Sequence, residues 1–293
     1  MPDARYRYPE AIVTADWLAA RLDDPDLRVY DCTTYLEYES GTGRPYRVVS
    51  GRADYDAGHI PGSAFLDLQG QLSDNASPFR FTLPPWDVLA AAFGAAGLGD
   101  GCRAVLYSRR NIQWATRIWW MLRALGFDAA AVLDGGWETW SQSGHPVSTA
   151  PAAHPPAVLT PRPRPDLFTG KREVLDAVGD PGTCTINALG RDLHAGENPR
   201  YGRPGRIPGS VNVPAMELQD PDTLRLPAAA DAAAAFAAVG ARPEQRVILY
   251  CGGGIAATLD AFLLHQLGFT DLTVYDNSLN EWAQDERLPL ETG

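Results

Sequence analysis

Short apolar segments alternate along the chain with longer segments of helical periodicity. Two of the longer segments, 114–125 and 256–267, run for about three turns each and end at a glycine, the residue that often caps a helix. The short segments are rich in Val, Ile, Leu and Tyr and have the length of strands; they are 27–32, 104–107, 129–133, 183–187, 247–250 and 272–275. This alternation predicts an α/β fold in which small parallel sheets are flanked by helices.

The motifs of the first half recur in the second half in the same order. An H/R-I-P-G-S motif, an apolar run ending in tyrosine, a Leu-Gly-Phe triplet and an Asp…Trp pair each occur twice, about 145 residues apart. Their positions are 59–63 and 206–210, 104–107 and 247–250, 125–127 and 267–269, and 134–140 and 276–282. Matches in one order at a near-constant offset predict two tandem copies of one domain of about 130 residues.

A proline-rich segment separates the two copies. Residues 146–165 contain seven prolines. Because proline fixes φ and offers no backbone donor, we expect a stiff, extended connector on the surface. The predicted organisation is an N-terminal domain over 1–145, a linker over 146–165 and a C-terminal domain over 166–293.

Composition and charge narrow the classes of function. Acidic residues outnumber basic ones by 36 to 25, for a net charge of −11, and no basic stripe is present, so we expect no nucleic-acid partner. No segment has the apolar core of a signal peptide or the length of a membrane span, which predicts a soluble protein. Cys32, Cys102, Cys184 and Cys251 form no CxxC pair, so we expect no metal, no disulfide framework and a cytoplasmic location.

One cysteine follows a predicted strand and opens a glycine loop. Cys251-Gly252-Gly253-Gly254-Ile255-Ala256 lies between the strand at 247–250 and the helix at 256–267, at the edge of the sheet where α/β proteins bind ligands. Glycines allow successive backbone N–H groups to surround the sulfur, and the helix N-terminus adds the equivalent of about half a positive charge. Both effects stabilise a sulfur anion without a metal or another cofactor.

Simpler interpretations compete with a reactive cysteine. Free cysteines are usually buried small hydrophobes, and we expect this of Cys32, Cys102 and Cys184. For Cys251 the adjoining glycines, which are costly in a purely structural turn, favour the reactive role. A triple glycine can also bind a phosphate, but the dinucleotide pattern and the P-loop lysine are absent. The first copy has Ser108 in place of the cysteine and lacks the glycines, so only the second copy is expected to react.

Together these features resemble the tandem-domain rhodanese family of sulfurtransferases, over essentially the whole chain. In that family the second domain carries the reactive cysteine and the first has lost it, as here. The resemblance implies two rhodanese-like domains. It implies that Cys251 takes sulfur from a small-molecule donor as a persulfide and passes it to cyanide, a thiol or a protein acceptor. It also implies that the backbone N–H groups of residues Gly252 to Ala256 stabilise the persulfide.

The loop and two arginines bear on the identity of the donor. Thiosulfate sulfurtransferases of the family place cations in this loop. The 3-mercaptopyruvate sulfurtransferases instead have Cys-Gly-Ser-Gly-Val-Thr, to which the cation-free loop here is similar. That branch binds the donor's carboxylate with two arginines nine residues apart, which Arg191 and Arg200 match. The resemblance implies 3-mercaptopyruvate as the preferred donor and thiosulfate as the alternative; the simpler interpretation is that both arginines are solvated loop residues.

The chain departs from the mercaptopyruvate pattern at several positions. Gly253 replaces a loop serine that is proposed to help activate the substrate. His59 matches the usual partner of that serine, and it has an equal claim to being a structural cap of its own loop. Asn187-Ala188-Leu189 replaces an Asp-x-Arg strand ending, and Leu279 stands where the first copy has Trp137. These departures bear on the donor and leave the family resemblance unchanged.

Other functions share parts of this pattern. Cell-cycle phosphatases and arsenate reductases of the same fold need an arginine six positions after the cysteine, and position 257 is alanine. A non-enzymatic rhodanese module would not need the cysteine and its glycines. A persulfide carrier would need them, and a donor pocket with Arg191 and Arg200 favours an enzyme over a carrier.

Two further expectations concern the first domain. The aromatic helix at 113–122 suits either a cofactor or carbohydrate platform or packing at the seam between the domains, and we favour packing. Because ligand sites favour domain interfaces, we expect the first domain to form a wall of the cleft. Asp54, Arg80 and Arg109 are the candidate wall residues.

Overall fold

The computed structural model describes residues 5–38 and 45–293. In the first half the strands and helices are β1 (Ile12–Val13), α1 (Ala15–Ala19), β2 (Leu27–Asp31), β3 (Thr34–Glu37), β4 (Arg47–Ser50), α2 (Arg52–Ala57), β5 (Ala64–Phe65), α3 (Leu68–Gln71), α4 (Trp86–Ala95), β6 (Arg103–Tyr107), α5 (Gln113–Ala124), β7 (Ala130–Leu133) and α6 (Gly136–Gln142). A short 3₁₀ turn precedes β1 at Pro9–Ala11.

The second half repeats this plan. Its elements are β8 (Phe168–Thr169), α7 (Lys171–Asp176), β9 (Thr183–Asn187), α8 (Arg191–Ala195), β10 (Val211–Asn212), α9 (Ala229–Ala238), β11 (Arg246–Tyr250), α10 (Ala256–Gln266), β12 (Leu272–Tyr275) and α11 (Ser278–Trp282). Two 3₁₀ turns lie at Pro165–Leu167 and Ala215–Leu218. Within the described ranges no helix is long and apolar enough to cross a membrane.

Each half forms a five-stranded sheet in which all strands are parallel. The order is β1-β7-β6-β2-β5 in the first sheet and β8-β12-β11-β9-β10 in the second, so the two orders are equivalent strand by strand. The predicted α/β class and the tandem duplication are therefore confirmed. The helices predicted at 114–125 and 256–267 are α5 and α10, and Gly126 and Gly268 follow them with φ of 82° and 90°, as helix-ending glycines require.

The first half carries one addition that the sequence pattern did not reveal. Strands β3 and β4 pair antiparallel in a separate two-stranded ribbon, with Thr34 opposite Ser50. Tyr38 and Tyr46 lie at the free end of this ribbon, on either side of residues 39–44, which are outside the described residues. The ribbon brings both tyrosines to the second half, as described below.

Helices α5 and α10 pack against each other at the seam between the domains. The hydroxyls of Thr116 and Thr258 lie 3.0 Å apart, and the Trp119 ring meets the Phe262 ring edge-on with centroids separated by 4.8 Å. Trp119 and Trp120 are both buried. The aromatic helix therefore packs at the seam, as the sequence analysis favoured.

The proline-rich segment follows the surface of the first domain. Residues 151–164 contain no helix or strand. The N–H groups of Ala157 and Arg162 donate to the carbonyls of Gly94 and Leu125, at 2.9 and 2.8 Å. These contacts tie the segment to the ends of α4 and α5; the domain boundaries at 145/146 and 165/166 stay a prediction.

The repeated I-P-G-S motif holds the end of the central strand in each domain. In the second domain the Tyr250 hydroxyl accepts a hydrogen bond from Ile207 N at 3.1 Å and lies 2.8 Å from the Ser210 hydroxyl. In the first domain Tyr107 has the same partners, Ile60 N at 3.4 Å and the Ser63 hydroxyl at 3.0 Å. The motif therefore fixes the residue that immediately precedes the loop at the carboxyl end of β6 or β11.

Removing either tyrosine hydroxyl should destabilise the protein. In Tyr250→Phe and Tyr107→Phe a buried N–H loses its acceptor, so we expect the free energy of unfolding to fall by about 1–3 kcal/mol in each variant, measured by urea denaturation. Tyr8→Phe is the control, because the Tyr8 hydroxyl has no hydrogen-bond partner among the described residues. Wild-type stability in both core variants would show that the motif does not hold the strand.

Candidate active site

Cys251 lies where the central strand of the second sheet ends. It directly follows β11, and α10 begins five residues later at Ala256, so the loop joins the carboxyl end of a parallel strand to a helix N-terminus. The Cys251 side chain is 2% exposed. Of the other cysteines, Cys32 is buried as expected, whereas Cys102 and Cys184 are only partly buried, which corrects the expectation for those two.

The three glycines of the loop are needed for different reasons. Gly254 has φ of 71°, and a side chain there would collide with the carbonyl oxygen of Asp276. A methyl group on Gly252 would overlap the phenol of Tyr201. A Cβ on Gly253 would lie 2.8 Å from Asn280 Nδ2. Only one of the three therefore needs the left-handed conformation, and the other two allow neighbouring side chains to approach the backbone.

The loop's backbone N–H groups are divided between structure and free donors. Gly254 N donates to the Ser278 hydroxyl at 3.2 Å, so it is not available to a persulfide, which corrects the expectation for this residue. The other residues expected to stabilise the persulfide are Gly252, Gly253, Ile255 and Ala256. Within the described part of the chain, their N–H groups have no hydrogen-bond acceptor. These groups next to Cys251 can stabilise an anion.

Ser278 shapes the loop through its hydroxyl. The oxygen accepts hydrogen bonds from Cys251 N at 3.0 Å and from Gly254 N, and it donates to the Tyr275 carbonyl at 2.7 Å. Ser278 has φ of 51°, which is strained for a residue with a side chain. The equivalent residue in the first domain, Gly136, has the same φ and no hydroxyl. This mismatch inside a repeated motif is the signal by which the sequence could have singled out Ser278.

The equivalent loop of the first domain is occupied by its own side chains. The Ser108 hydroxyl donates to the Asn111 carbonyl at 2.7 Å. The Arg109 guanidinium stacks on Trp137 at 3.9 Å and lies 3.5 Å from the buried carboxylate of Asp31. This loop therefore offers no thiol, and the contacts support an unreactive first domain.

The expected wall residues are distributed differently from the prediction. Arg109 belongs to the loop of the first domain that is equivalent to the Cys251 loop. Asp54 lies in α2 of the same domain and accepts a hydrogen bond from the Tyr35 hydroxyl. Arg80 lies near Tyr46, and both line a cavity of about 320 Å³ beside the β3–β4 ribbon. Of the three candidates, Arg80 is thus the one placed next to a residue of the site.

A buried arginine of the first domain supports the loop from beneath. Arg117 is fully buried in α5, and its guanidinium donates to the Gly254 carbonyl at 3.0 Å and the Phe81 carbonyl at 2.8 Å. It also pairs with Asp276 at 2.7 Å, and Asp276 accepts the Leu83 N–H at 2.7 Å. This network, which the sequence analysis did not find, joins the two domains directly under the loop.

Aromatic side chains from both domains surround the loop. Tyr46 stacks on Phe81 with a centroid distance of 6.3 Å and meets Tyr201 edge-on at 6.5 Å. Burial raises the pKa of Tyr46 and Tyr201 above the usual tyrosine value, so both keep their protons at neutral pH. These tyrosines could not be predicted from the sequence, because nothing in the local pattern indicates a contact across the domain seam.

The two candidate carboxylate-binding arginines lie in different environments. The Arg200 guanidinium is 4.0 Å from the centroid of the Tyr38 ring. Arg191 is exposed and pairs with Glu217 at 2.5 Å. Arg200 therefore lies against Tyr38, one of the aromatic residues near the loop, whereas Arg191 is paired with the acidic residue Glu217.

His59 is held by the preceding helix α2 and by the proline-rich segment. The imidazole is buried and stacks on Tyr55 with a centroid distance of 4.0 Å. Its Nδ1 lies 2.8 Å from the Tyr55 carbonyl, and its Nε2 lies 3.0 Å from the Ala150 carbonyl. These contacts match the structural cap, and they leave neither ring nitrogen free for a substrate.

Comparisons with known proteins agree with this geometry. The chain matches the family described as a rhodanese-like domain over residues 14–143 and 192–285. It is 30% identical over 282 residues to the 3-mercaptopyruvate sulfurtransferase of Escherichia coli (strain K12), covering 95% of this chain and 97% of that protein. It is 29% identical over 299 residues to the thiosulfate sulfurtransferase of Rattus norvegicus, covering 96% of this chain and 94% of that protein. A crystal structure of a 3-mercaptopyruvate sulfotransferase from Escherichia coli superposes with a TM-score of 0.79 at 28% identity, covering 92% and 98% of the two chains.

The chain belongs to the rhodanese family, as a tandem-domain sulfurtransferase. The predicted family and fold class are thereby confirmed.

Loss of the Ser278 hydroxyl should destabilise the loop. Ser278→Ala leaves two buried N–H groups without an acceptor, so we expect the free energy of unfolding to fall by at least about 1–3 kcal/mol in urea denaturation. Ser278→Gly removes the same hydroxyl but relieves the positive φ, and we expect a smaller loss. Equal stability of wild type and both variants would contradict the role given to this hydroxyl.

Proposed function

We propose that this protein transfers sulfur from a small donor, preferentially 3-mercaptopyruvate, to a thiol or cyanide through a persulfide on Cys251. The observation that carries the proposal is the loop itself: a cysteine at the carboxyl end of the central strand, beside N–H groups that have no acceptor among the described residues. The transfer needs no metal or organic cofactor, because backbone N–H groups and the α10 N-terminus can stabilise the sulfur anion.

The reaction proceeds in two halves. The Cys251 thiolate attacks the donor's sulfur, and a new S–S bond forms as the donor's C–S bond breaks. The bonding electrons stay with the departing carbon, which is reduced, while the Cys251 sulfur is oxidised to a persulfide. The proton of the donor's thiol ends on the pyruvate that leaves. In the second half a thiolate or cyanide takes the outer sulfur and restores the Cys251 thiolate.

The environment of the loop supports a donor that carries a carboxylate. No residue of 252–256 is cationic, and Arg200 against Tyr38 offers a planar guanidinium for a carboxylate. The relatives include sulfurtransferases named for 3-mercaptopyruvate and for thiosulfate, so thiosulfate is the alternative donor. We place the reaction in the cytoplasm, with small-molecule donor and acceptor, and a protein acceptor is compatible with the same persulfide.

The comparison of two donors tests the enzyme against a carrier. We expect the kcat/KM of the purified protein, with cyanide as acceptor, to be higher for 3-mercaptopyruvate than for thiosulfate. A preference for thiosulfate would reverse the donor assignment. Absence of turnover with both donors, together with a persulfide on Cys251 in the mass spectrum, would identify a carrier.

Replacing the nucleophile should abolish transfer while the fold is retained. In Cys251→Ser the hydroxyl is a much weaker nucleophile than a thiolate, so we expect no thiocyanate from either donor and an unchanged circular dichroism spectrum. Cys102→Ser is the matched control, since Cys102 is a partly buried cysteine outside the site, and it should react like wild type. Thiocyanate formation by Cys251→Ser would sink the assignment.

The two arginines should respond differently to removal. Losing a charged hydrogen bond costs about 1.5–3 kcal/mol, so Arg200→Ala should raise the KM for 3-mercaptopyruvate by about tenfold or more with little change in kcat. Arg191→Ala breaks only an exposed ion pair with Glu217 and should change the KM by less than about twofold. An equal rise in both variants would show that both arginines bind the donor, as the sequence resemblance implied.

A further inference from the structure

Two polar groups occupy the space that the missing side chain of Gly253 leaves. A Cβ at this position would lie 2.8 Å from Asn280 Nδ2 and 3.0 Å from the Tyr46 hydroxyl. Asn280 belongs to the second domain, whereas Tyr46 comes from the end of the β3–β4 ribbon of the first domain. A hydroxyl from the other domain therefore lies against the middle of the reactive loop.

Both groups are held firmly in place. Asn280 N donates to the Gly252 carbonyl at 2.8 Å, which fixes Asn280 to the loop. Asn280 Nδ2 donates to the Tyr46 hydroxyl oxygen at 2.7 Å. The Tyr46 side chain is 5% exposed and its ring stacks on Phe81. The hydroxyl is thus positioned before any substrate binds.

The proton of the Tyr46 hydroxyl is available for donation. Because Asn280 supplies the hydrogen bond between the two groups, the Tyr46 oxygen is the acceptor there. In the described ranges no acceptor receives the tyrosine's own proton. Burial raises the pKa of Tyr46, against the smaller opposing effect of Asn280, so the hydroxyl stays protonated at neutral pH.

We propose that Tyr46 is a catalytic residue whose hydroxyl donates a hydrogen bond to the ketone oxygen of the departing pyruvate. The proposal rests on the proposed function and adds a residue of the first domain to it. A Cβ on Gly253 would lie 3.0 Å from the same hydroxyl, and the Gly253 N–H has no acceptor among the described residues, so this backbone donor is close enough to act with the tyrosine on one oxyanion.

The negative charge that the Tyr46 hydroxyl would stabilise forms in the first half-reaction, when the donor loses its sulfur. As the C–S bond of 3-mercaptopyruvate breaks, its electron pair moves through the carbon to the ketone oxygen, which gives an enolate. The enolate carbon then takes the proton that the donor's thiol released, and pyruvate leaves. Thiosulfate loses sulfite instead, which keeps the electron pair of its broken S–S bond and forms no enolate. A donor to the ketone oxygen should therefore matter for one substrate and not for the other.

The test compares Tyr46→Phe with wild type on both donors. We expect the rate of persulfide formation from 3-mercaptopyruvate, followed by pyruvate release in a single turnover, to fall by about tenfold or more. The rate with thiosulfate should stay within about twofold of wild type. Tyr30→Phe is the matched control, because it removes a tyrosine hydroxyl that binds the Ala96 carbonyl within the first domain, and both rates should be unchanged.

The outcomes separate this proposal from the one on which it rests. Equal losses of rate with both donors would mean that Tyr46 only supports the structure of the loop. Unchanged rates with both donors would mean that its hydroxyl has no role in the reaction. Either result overturns the proposal. A wild-type protein that forms no persulfide from either donor would overturn the proposed function itself. The double variant Tyr46→Phe/Gly253→Ser places a serine hydroxyl next to the position of the removed Tyr46 hydroxyl. We expect its rate with 3-mercaptopyruvate to recover in part, and its rate with thiosulfate to stay as in Tyr46→Phe.

Discussion

A guanidinium group from one domain lies under the reactive loop of the other, and the site depends on it. Arg117 is fully buried, and at the seam its guanidinium donates to the carbonyls of Gly254 and Phe81 and pairs with the carboxylate of Asp276. A buried charge without such partners costs several kcal/mol. Separation of the domains would leave this charge unpaired, so their docking and the shape of the loop are coupled.

The two copies share one fold but differ in the loop that follows the central strand. Each central strand ends in a tyrosine held by an I-P-G-S motif, so both loops start from the same position. In the second domain glycines leave room beside Cys251, and the Ser278 hydroxyl accepts the N–H groups of Cys251 and Gly254. In the first domain Arg109 fills the comparable space. The side chains of the loops, rather than the sheets, therefore distinguish the two copies.

The sequence was sufficient for the features that are local or repeated. The alternation of apolar runs predicted both sheets, and the glycines after Cys251 indicated the loop, because each signal lies within a few residues. Arg117 and Tyr46 could not be predicted, since each acts through a partner far away in the chain, and Ser278 was marked only by its mismatch with Gly136 in the repeat. Arg191 and Arg200 looked equivalent at their spacing, and only the fold shows Glu217 beside one and Tyr38 beside the other.

The β3–β4 ribbon makes the first domain part of the surroundings of the Cys251 loop. It places Tyr46 against Asn280, although these residues are 234 positions apart in sequence. The half that has Ser108 in place of the cysteine thus contributes to the surroundings of the Cys251 thiol in the other half. Under the proposed function, substitutions in the first copy can change donor preference while Cys251 and its loop stay the same. The duplicate then has a physical reason to be kept, because the second copy alone would lack one side of its own pocket.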